Sequence, residues 1–448
     1  MIRVATRRPQ LRQRGSALLA ALCFAFVMAM VLGSYITVCY RTLQMSTRGM
    51  QGTRSIELAE AGMEEALLAL NSSTWTGWTI NSGTASKTIT GFTFDGGVTG
   101  QITISITNYN GGGTRTVTVT GTSTDPTTGQ QTNRVLTSTS AQAPLLLNAV
   151  AATTNTVTFA SGGTLDSYDS SKGNYALGGA QAAYNYSAVV TSTKSAPTAA
   201  SIQLVNAQIK GYAASNYAGG PSYSTSAKLV GPTTPGTTKI DTSRISSSPY
   251  QPMFEIVTPA SNMSDVTLVN PVTNSTTTIG TAGATSPTVY RCSGLDMTGT
   301  TRIIVDGPVR LVVSGSFYVG LHGGTPSISI TSNGTLEVFA LGDIAIYGNG
   351  IDNSTTKDPS RCVIYGTNTL TVPDMNTTVA FYGVIYTPYG DFNVASNNAI
   401  YGSVVARKVA FTSSAPVVHY DLNLRTKVLP GLTTPYAVSD WHETTNGG

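Results

Sequence analysis

The chain has 448 residues, which is long enough for two or three domains with substantial cores. Its formal net charge is +4, but residues 1–70 carry eight of the 26 basic residues and four of the 22 acidic ones, so the remainder is neutral. Only 11% of residues are charged, and no basic run occurs beyond residue 70. This composition argues against nucleic acid as a partner.

The first informative stretch runs from Ser16 to Tyr40. No charged residue occurs between Arg14 and Arg41, and about 20 consecutive apolar residues suffice for a helix to cross a bilayer. The stretch therefore predicts a membrane-spanning helix. It is too long for the core of a secretory signal peptide.

The helical pattern continues after Arg41. Apolar residues recur there at three- and four-residue steps, with glutamates on or beside the other face, as in Ile56, Ala59, Met63, Ala66, Leu67 and Leu70. We predict one helix over residues 16–70, roughly 80 Å long, whose second half is amphipathic. Gly33, Gly49 and Gly52 are positions at which it can bend.

Two motifs in this region, RQRGSALLAAL and IELAEAGMEEAL, resemble the N-terminus of type IV pilins and type II secretion pseudopilins, and most specifically PilX-type pilus-assembly proteins. The resemblance covers residues 1–70. It implies a basic leader over residues 1–15 and cleavage by prepilin peptidase between Gly15 and Ser16. It also implies other pilin-like subunits as partners of the helix, and a β-sheet that packs on the helix end.

The sequence departs from the fibre-forming members of that family at Ala20, where they have a glutamate. In the family this carboxylate is thought to pair with the terminal amine of a neighbouring subunit, since an unpaired charge is costly in lipid. A chain without it is more similar to minor or tip-like subunits than to bulk fibre subunits. An uncleaved signal anchor is the alternative for the same segment.

Basic residues before the span predict its orientation. Five arginines precede it, and fewer basic residues follow closely, the five being Arg3, Arg7, Arg8, Arg12 and Arg14. Because positive charge is retained on the cytoplasmic side, we expect a single-pass inner-membrane protein with a cytoplasmic N-terminus. The C-terminal domains are then periplasmic or at the cell surface in a pilus-like assembly.

Residues 71–143 are predicted to form an antiparallel β domain. Ile, Val and Thr alternate in KTITGFTF, GQITISITNY, RTVTVTGTS and TNRVLTSTSA, which is typical of half-buried strands. The run Asn110-Gly111-Gly112-Gly113 predicts a hairpin turn between the second and third of these strands.

Residues 144–430 are predicted to form a parallel β-helix-like solenoid with long loops, and residues 431–448 a C-terminal tail. The main evidence is a Tyr-Gly pair that recurs after 18, 17 and 19 residues, at Tyr347, Tyr365, Tyr382 and Tyr401. Repetition at this scale favours three short strands per coil. If the coils are regular, the four tyrosines form a ladder on one face. That face is a candidate glycan-binding surface, but packing within the wall or under a loop is the favoured interpretation.

Other candidate sites are weaker. Cys292 and Cys362 lie in the exported part and are a candidate disulfide. Asp166 and Asp169 are the most acidic spot between residues 145 and 290, but a calcium site needs more oxygen ligands, so turn formation is the favoured interpretation. No metal site is predicted, because two cysteines without clustered histidines make a poor zinc site.

The sequence offers no catalytic residue. Glycosidases need two carboxylates that converge on one bond, whereas the acids of the repeat region are scattered singly beside turn residues. None of His322, His419 and His442 belongs to a nucleophile-base pattern. No phosphate-binding glycine loop or dinucleotide fingerprint occurs either, so no cofactor is predicted.

These observations predict a mainly β protein with one long N-terminal helix. The favoured function is a non-enzymatic minor or tip subunit, or an assembly factor, of a type IV pilus or a type II secretion-like pseudopilus. The alternative is a membrane-anchored adhesin that binds glycans through the tyrosine face. A β-helix carbohydrate-active enzyme is the third hypothesis, which the scattered acids disfavour.

Overall fold

The computed structural model describes residues 14–72, 74–109, 114–142, 144–195, 200–217, 219–270, 273–367, 374–429, 432 and 435–444. Two compact units result. Unit 1 comprises Met1–Gln142 and Pro435–Gly448, and unit 2 comprises Ala143–Thr434. The structure confirms a mainly β protein with one long N-terminal helix.

The helix α1 (Arg14–Ser72) is uninterrupted over 59 residues, which corresponds to about 88 Å. Its residues 17–46 are exposed, and burial begins at Gln51. Gly33 and Gly49 lie inside the continuous helix, where a Cβ atom would meet nothing within 4 Å. The predicted weak points therefore do not interrupt the helix.

Unit 1 contains a six-stranded antiparallel sheet in the order β1-β2-β3-β4-β5-β31. Its strands are β1 (Thr79–Asn81), β2 (Thr84–Thr93), β3 (Thr99–Thr107), β4 (Arg115–Thr124), β5 (Gln131–Gln142) and β31 (Tyr436–Thr444). Every second residue of β4 is buried, as the alternation of Val and Thr predicts. The predicted turn at Asn110–Gly113 lies outside the described residues.

The amphipathic half of α1 packs on this sheet. Its buried apolar residues recur at helical spacing and contact Ile102, Ile104, Val117 and Val119 of the sheet, the helix residues being Leu58, Ala59, Met63, Ala66, Ala69 and Leu70. Burying a leucine or methionine side chain contributes about 1.5–3 kcal/mol. The apolar stripe of the sequence is therefore the helix–sheet interface of unit 1.

Unit 2 contains the remaining strands. The first group is β6 (Val150–Ala152), β7 (Val157–Phe159), β8 (Thr164–Tyr168), β9 (Ala188–Ser192), β10 (Ile202–Leu204), β11 (Gln208–Ser215), β12 (Ser222–Tyr223), β13 (Lys228–Val230) and β14 (Ile245–Ser246). The second group begins with β15 (Val266–Thr267), β16 (Thr276–Ile279), β17 (Thr288–Cys292), β18 (Leu295–Gly299), β19 (Arg302–Val305), β20 (Pro308–Val313), β21 (Phe317–Gly324) and β22 (Ser327–Ile330). It continues with β23 (Thr335–Ala340), β24 (Ile344–Gly348), β25 (Ile351–Asp352), β26 (Cys362–Gly366), β27 (Asp374–Thr377), β28 (Phe381–Val394), β29 (Ala399–Phe411) and β30 (Val417–Asp421). Short 3₁₀ helices cover Asp95–Gly97 in unit 1 and Ser170–Lys172, Gly179–Gln181, Thr242–Arg244, Pro359–Arg361 and Leu422–Thr426 in unit 2.

The second group forms three parallel ladders. Strands β16, β19, β22 and β25 pair in sequence order in one ladder. Strands β17, β20, β23, β26 and β28 form the second ladder, and β18, β21, β24, β27 and β28 form the third. Any three consecutive strands from β16 to β27 therefore belong to three different ladders.

The first group stacks on the end of the second. Strand β29 pairs with β28 on one side and with β30, β6 and β7 on the other, while β30 pairs with β8. We call this junction between residues 399–421 and 150–168 the seam. Phe159 and Phe411 lie opposite each other there, with ring centroids 4.5 Å apart.

The seam defines where the chain enters and leaves unit 2. Near the entry, Asn148 O accepts a hydrogen bond of 2.7 Å from Ser403 Oγ, and Leu146 O accepts one from Tyr420 Oη. The chain thus enters unit 2 beside the strands with which it leaves. The predicted C-terminal tail, residues 431–448, contains β31. The sequence did not predict that this strand pairs with β5.

Candidate functional site

The four tyrosines of the Tyr-Gly repeat do not share one face. Tyr365 is fully buried and lies opposite Tyr386, not Tyr382. Tyr347 belongs to the third ladder, opposite Asn376. The predicted ladder fails because the turns between paired strands differ in length, so an almost constant sequence spacing does not give a constant register.

Tyr382 and Tyr401 do stack. They lie opposite each other on β28 and β29, with ring centroids 4.3 Å apart and ring planes inclined by 8°. The column continues through His419 of β30 to Asp166 of β8, both in register across the seam. Since in-register residues of parallel strands point to the same side, these four side chains form one continuous column.

Asp166 ends this column as a fully buried carboxylate. His419 Nδ1 lies 2.6 Å from Asp166 Oδ1, and Tyr175 Oη donates a hydrogen bond of 2.8 Å to Asp166 Oδ2. Lys210 Nζ lies 3.7 Å from the same Oδ2. A buried carboxylate is tolerated only with such partners, so Asp166 fixes Tyr175 and His419 in place.

A cavity of about 310 Å³ opens beside the column. Four tyrosines line it, namely Tyr168, Tyr175, Tyr382 and Tyr401. The loop around Ser170–Asn174, the segment Thr356–Asp358 and Asn423 complete the wall. The cavity therefore lies at the seam and takes residues from both strand groups of unit 2.

Aspartates hold the loops around the cavity. Asp421 Oδ1 accepts backbone hydrogen bonds of 3.0 Å from Ser170 N and 3.0 Å from Asn423 N. Asp169 Oδ1 accepts one of 2.9 Å from Ser171 N and caps the helix Ser170–Lys172. This geometry agrees with turn formation by Asp169. Burial raises the pKa of Asp421, and the neighbouring charge of Asp358 adds to the effect.

The hydroxyl of Tyr168 has no hydrogen-bond partner among the described residues, although the side chain is 2% exposed. Burial, followed by the charge of Asp421, raises the pKa of Tyr168. Burial and the adjacent Tyr401 raise the pKa of Tyr382 to about 12. These tyrosines are therefore protonated at neutral pH, so each can donate a hydrogen bond.

Cys292 and Cys362 do not form the candidate disulfide. Cys292 lies on β17 and Cys362 on β26, three ladder steps apart, which corresponds to about 14 Å between the strands. A disulfide requires Cα atoms within about 7 Å. Both thiols are free and buried, and burial raises the pKa of Cys292 to about 11 and that of Cys362 to about 12.

The exposed half of α1 is a second candidate site. It is long and apolar enough to cross a membrane, and its most apolar window is not buried within the described protein. Large exposed residues occur on all sides of the helix, including Leu18, Leu19, Phe24, Val27, Met28 and Val31. Gly15 and Ser16 lie in its first turn, and residues 1–13 lie outside the described residues.

Sequence reasoning missed several of these residues. The polar contacts of α1 with the sheet, such as the 2.7 Å hydrogen bond from Ser55 Oγ to Thr132 O, follow no apolar pattern. His419 and Tyr168 become neighbours of Tyr401 only through the seam, and their large sequence separation left no local signal. Among the described residues no group of three His, Cys, Asp or Glu side chains could hold a metal ion.

Comparison with known families gives one match. Residues 255–427, less than half of the chain, are similar to the family described as Domain of unknown function (DUF7305). No curated protein and no solved structure matches the chain. The matched range contains Tyr382, Tyr401 and Asn423, whereas Tyr168 and Tyr175 lie outside it. Only part of the cavity wall is therefore covered by the match.

Proposed function

We propose that this protein is a non-enzymatic, pilin-like subunit that is anchored in the inner membrane by α1 and enters a pilus or pseudopilus as a minor or tip component. The observation that carries the proposal is the division of α1 into two halves. Residues 17–46 expose apolar side chains on all sides, whereas residues 51–70 bury one stripe against the sheet of unit 1. Such a helix can lie in lipid and, when extracted, pack against the helices of other subunits.

The interface within unit 1 supports a rigid link between anchor and sheet. A Cβ atom at Gly121 of β4 would lie 2.0 Å from Ser55 O, so the strand approaches the helix backbone directly. Ser55 Oγ and Ser123 Oγ lie 2.9 Å apart in the buried interface. A force on the membrane half of α1 is thereby transmitted to the sheet, as assembly of a fibre requires.

We further propose that unit 2 is a β-solenoid displayed outside the cytoplasmic membrane. Its three parallel ladders and their regular order support this architecture. Unit 2 spans Ala143–Thr434 and is larger than unit 1, and such bulk suits a subunit present in few copies. The arginines before α1 support a cytoplasmic N-terminus.

Cell fractionation combined with protease treatment of spheroplasts tests the anchor. We expect the full chain in the inner-membrane fraction, with units 1 and 2 digested by added protease. Val27→Arg combined with Val31→Arg places two charges in the middle of the exposed apolar half, and each charge disfavours insertion by about 3 kcal/mol, so this variant is expected to lose membrane association.

Leu68→Arg is the matched control, because Leu68 is 62% exposed and lies in the amphipathic half. It should remain in the membrane fraction. A wild-type chain found free in the cytoplasm would contradict the proposal, and so would a double variant that stays fully membrane-integrated.

A further inference from the structure

The cavity at the seam has the composition of a binding site for a polyhydroxylated ligand. Its walls contain tyrosine, serine, threonine and asparagine side chains, and no leucine, isoleucine, valine, methionine or phenylalanine lines it among the described residues. A site for an apolar ligand would be lined mainly by such residues. Tyrosine combines a flat apolar ring with a hydroxyl group, which matches the C–H and O–H groups of a sugar ring.

Charge narrows the ligand class further. Lys357 and Asp358 are the charged residues in the described wall, and Asp421 lies directly behind it, bonded to Ser170 N and Asn423 N. No arginine lines the cavity to bind a carboxylate or phosphate in a bidentate manner. The balance of one cation and two nearby carboxylates disfavours an anionic ligand.

The Tyr168 hydroxyl points to the same conclusion independently. A buried hydroxyl without a partner costs free energy in the unliganded protein, and this one belongs to a cavity-lining side chain. The oxygen itself has almost no exposed surface, so a ligand hydroxyl reaches Tyr168 Oη when the ring turns slightly towards the cavity, and the bond formed would remove that cost. The rest of the wall is preorganised for a ligand, because Tyr382 and Tyr401 are on paired strands and Asp421 accepts a hydrogen bond from Ser170 N in the loop.

We propose that the seam cavity binds a neutral hexose ring, with the Tyr168 hydroxyl as a hydrogen-bond partner and the tyrosine rings as its apolar wall. The volume of about 310 Å³ is at the lower end for ligand pockets, which fits a single ring. The proposal concerns unit 2 alone and does not depend on membrane anchoring or fibre assembly.

The test is ligand binding by the purified full chain in detergent. The probes are the methyl glycosides of glucose, galactose, mannose and N-acetylglucosamine, with methyl glucuronide as the anionic comparison. Saturation-transfer NMR detects binding, and a titration gives the Kd. We expect at least one neutral glycoside to bind with a Kd on the order of 1 mM. Tyr168→Phe should weaken that binding about tenfold, while its thermal midpoint stays equal to or above the wild-type value because only an unpartnered hydroxyl is lost.

Tyr347→Phe is the matched control. The Tyr347 hydroxyl is partly buried and hydrogen-bonded to Asp374, but Tyr347 lies outside the described cavity wall. Removal of this hydroxyl should therefore leave the Kd unchanged. The proposal is overturned if no neutral glycoside binds up to about 50 mM, if only methyl glucuronide binds, or if Tyr168→Phe binds as tightly as the wild type.

Discussion

At the scale of single residues, Gly62 sets how closely α1 approaches the sheet of unit 1. A Cβ atom at this position would lie 2.5 Å from Ile102 Cγ2 and 2.5 Å from Val119 Cγ1. Both methyl groups belong to fully buried branched side chains, which cannot move away without disturbing the core. The apolar pattern of the sequence predicts the buried face, but nothing in it distinguishes Gly62 from the other helix glycines.

Gly62→Ala is expected to lower the free energy of unfolding of unit 1 by about 1–3 kcal/mol. Gly49→Ala is the control: a Cβ atom there meets nothing within 4 Å, so stability should stay constant or rise by up to about 1 kcal/mol. All three tryptophans, Trp75, Trp78 and Trp441, belong to unit 1, so denaturant unfolding followed by tryptophan fluorescence measures the effect. Equal stability of the two variants would contradict this packing.

The tyrosines show the limit of prediction at this scale. A Tyr-Gly pair at nearly constant spacing indicates repeated strands, and all four tyrosines do lie on strands. Which residues lie opposite one another depends on the length of every intervening turn, so Tyr365 lies opposite Tyr386, four positions after Tyr382, and Tyr347 belongs to another ladder. Only the pair Tyr382 and Tyr401 therefore keeps the expected stacking.

At the scale of elements, prediction succeeded where the signal is local. An uninterrupted apolar stretch followed by apolar residues at helical spacing predicted α1, and alternation of Ile or Val with Thr predicted β3 and β4. Register between strands of unit 2 is not local, since paired residues lie about twenty or more positions apart. The wrong cysteine pairing follows from this, because three ladder steps separate Cys292 from Cys362.

An engineered disulfide tests the register of unit 2. Cys292 lies opposite Val313 on the neighbouring strand, so Val313→Cys should form a disulfide with Cys292 under mild oxidation and increase stability by about 3 kcal/mol if it is unstrained. Val312→Cys, whose side chain points to the other side of the strand, should not. Alkylation under denaturing conditions, followed by mass spectrometry, counts the thiols. A disulfide in the Val312→Cys variant instead would mean that the register is shifted by one residue.

At the scale of the whole chain, the decisive feature is that neighbours in space are not neighbours in sequence. Residues 150–168 stack on residues 399–421, and β31 returns to pair with β5 of unit 1. No composition or spacing in the sequence signals either contact, because both bring together segments hundreds of residues apart. The cavity at the seam is a product of this topology and was for that reason not predictable.

Removal of β31 tests its contribution to unit 1. Deletion of residues 435–448 removes the 2.8 Å ion pair of Glu443 with Arg134 and the contact of Arg115 with the Tyr436 ring at 4.2 Å, and it exposes the edge of β5. We expect a loss of more than about 1 kcal/mol in unfolding free energy and increased aggregation through the open edge.

Glu443→Gln separates the contribution of the ion pair from that of the strand itself, because it removes only this ion pair, whose side chains are 33–35% exposed. Its cost should stay below about 1 kcal/mol. Denaturant unfolding and light scattering provide the readouts for both variants. A deletion variant with wild-type stability and solubility would show that β31 contributes nothing to the sheet.

Our central proposal is that α1 is processed and used as a pilin-like assembly helix. Mass spectrometry of the N-terminus of the protein purified from its native membrane tests this most directly. We predict a chain that begins at Ser16, following cleavage after Gly15 by a prepilin peptidase, with a methylated terminal amine. A mature chain that retains the residues before Gly15 would contradict it and would identify α1 as a plain membrane anchor.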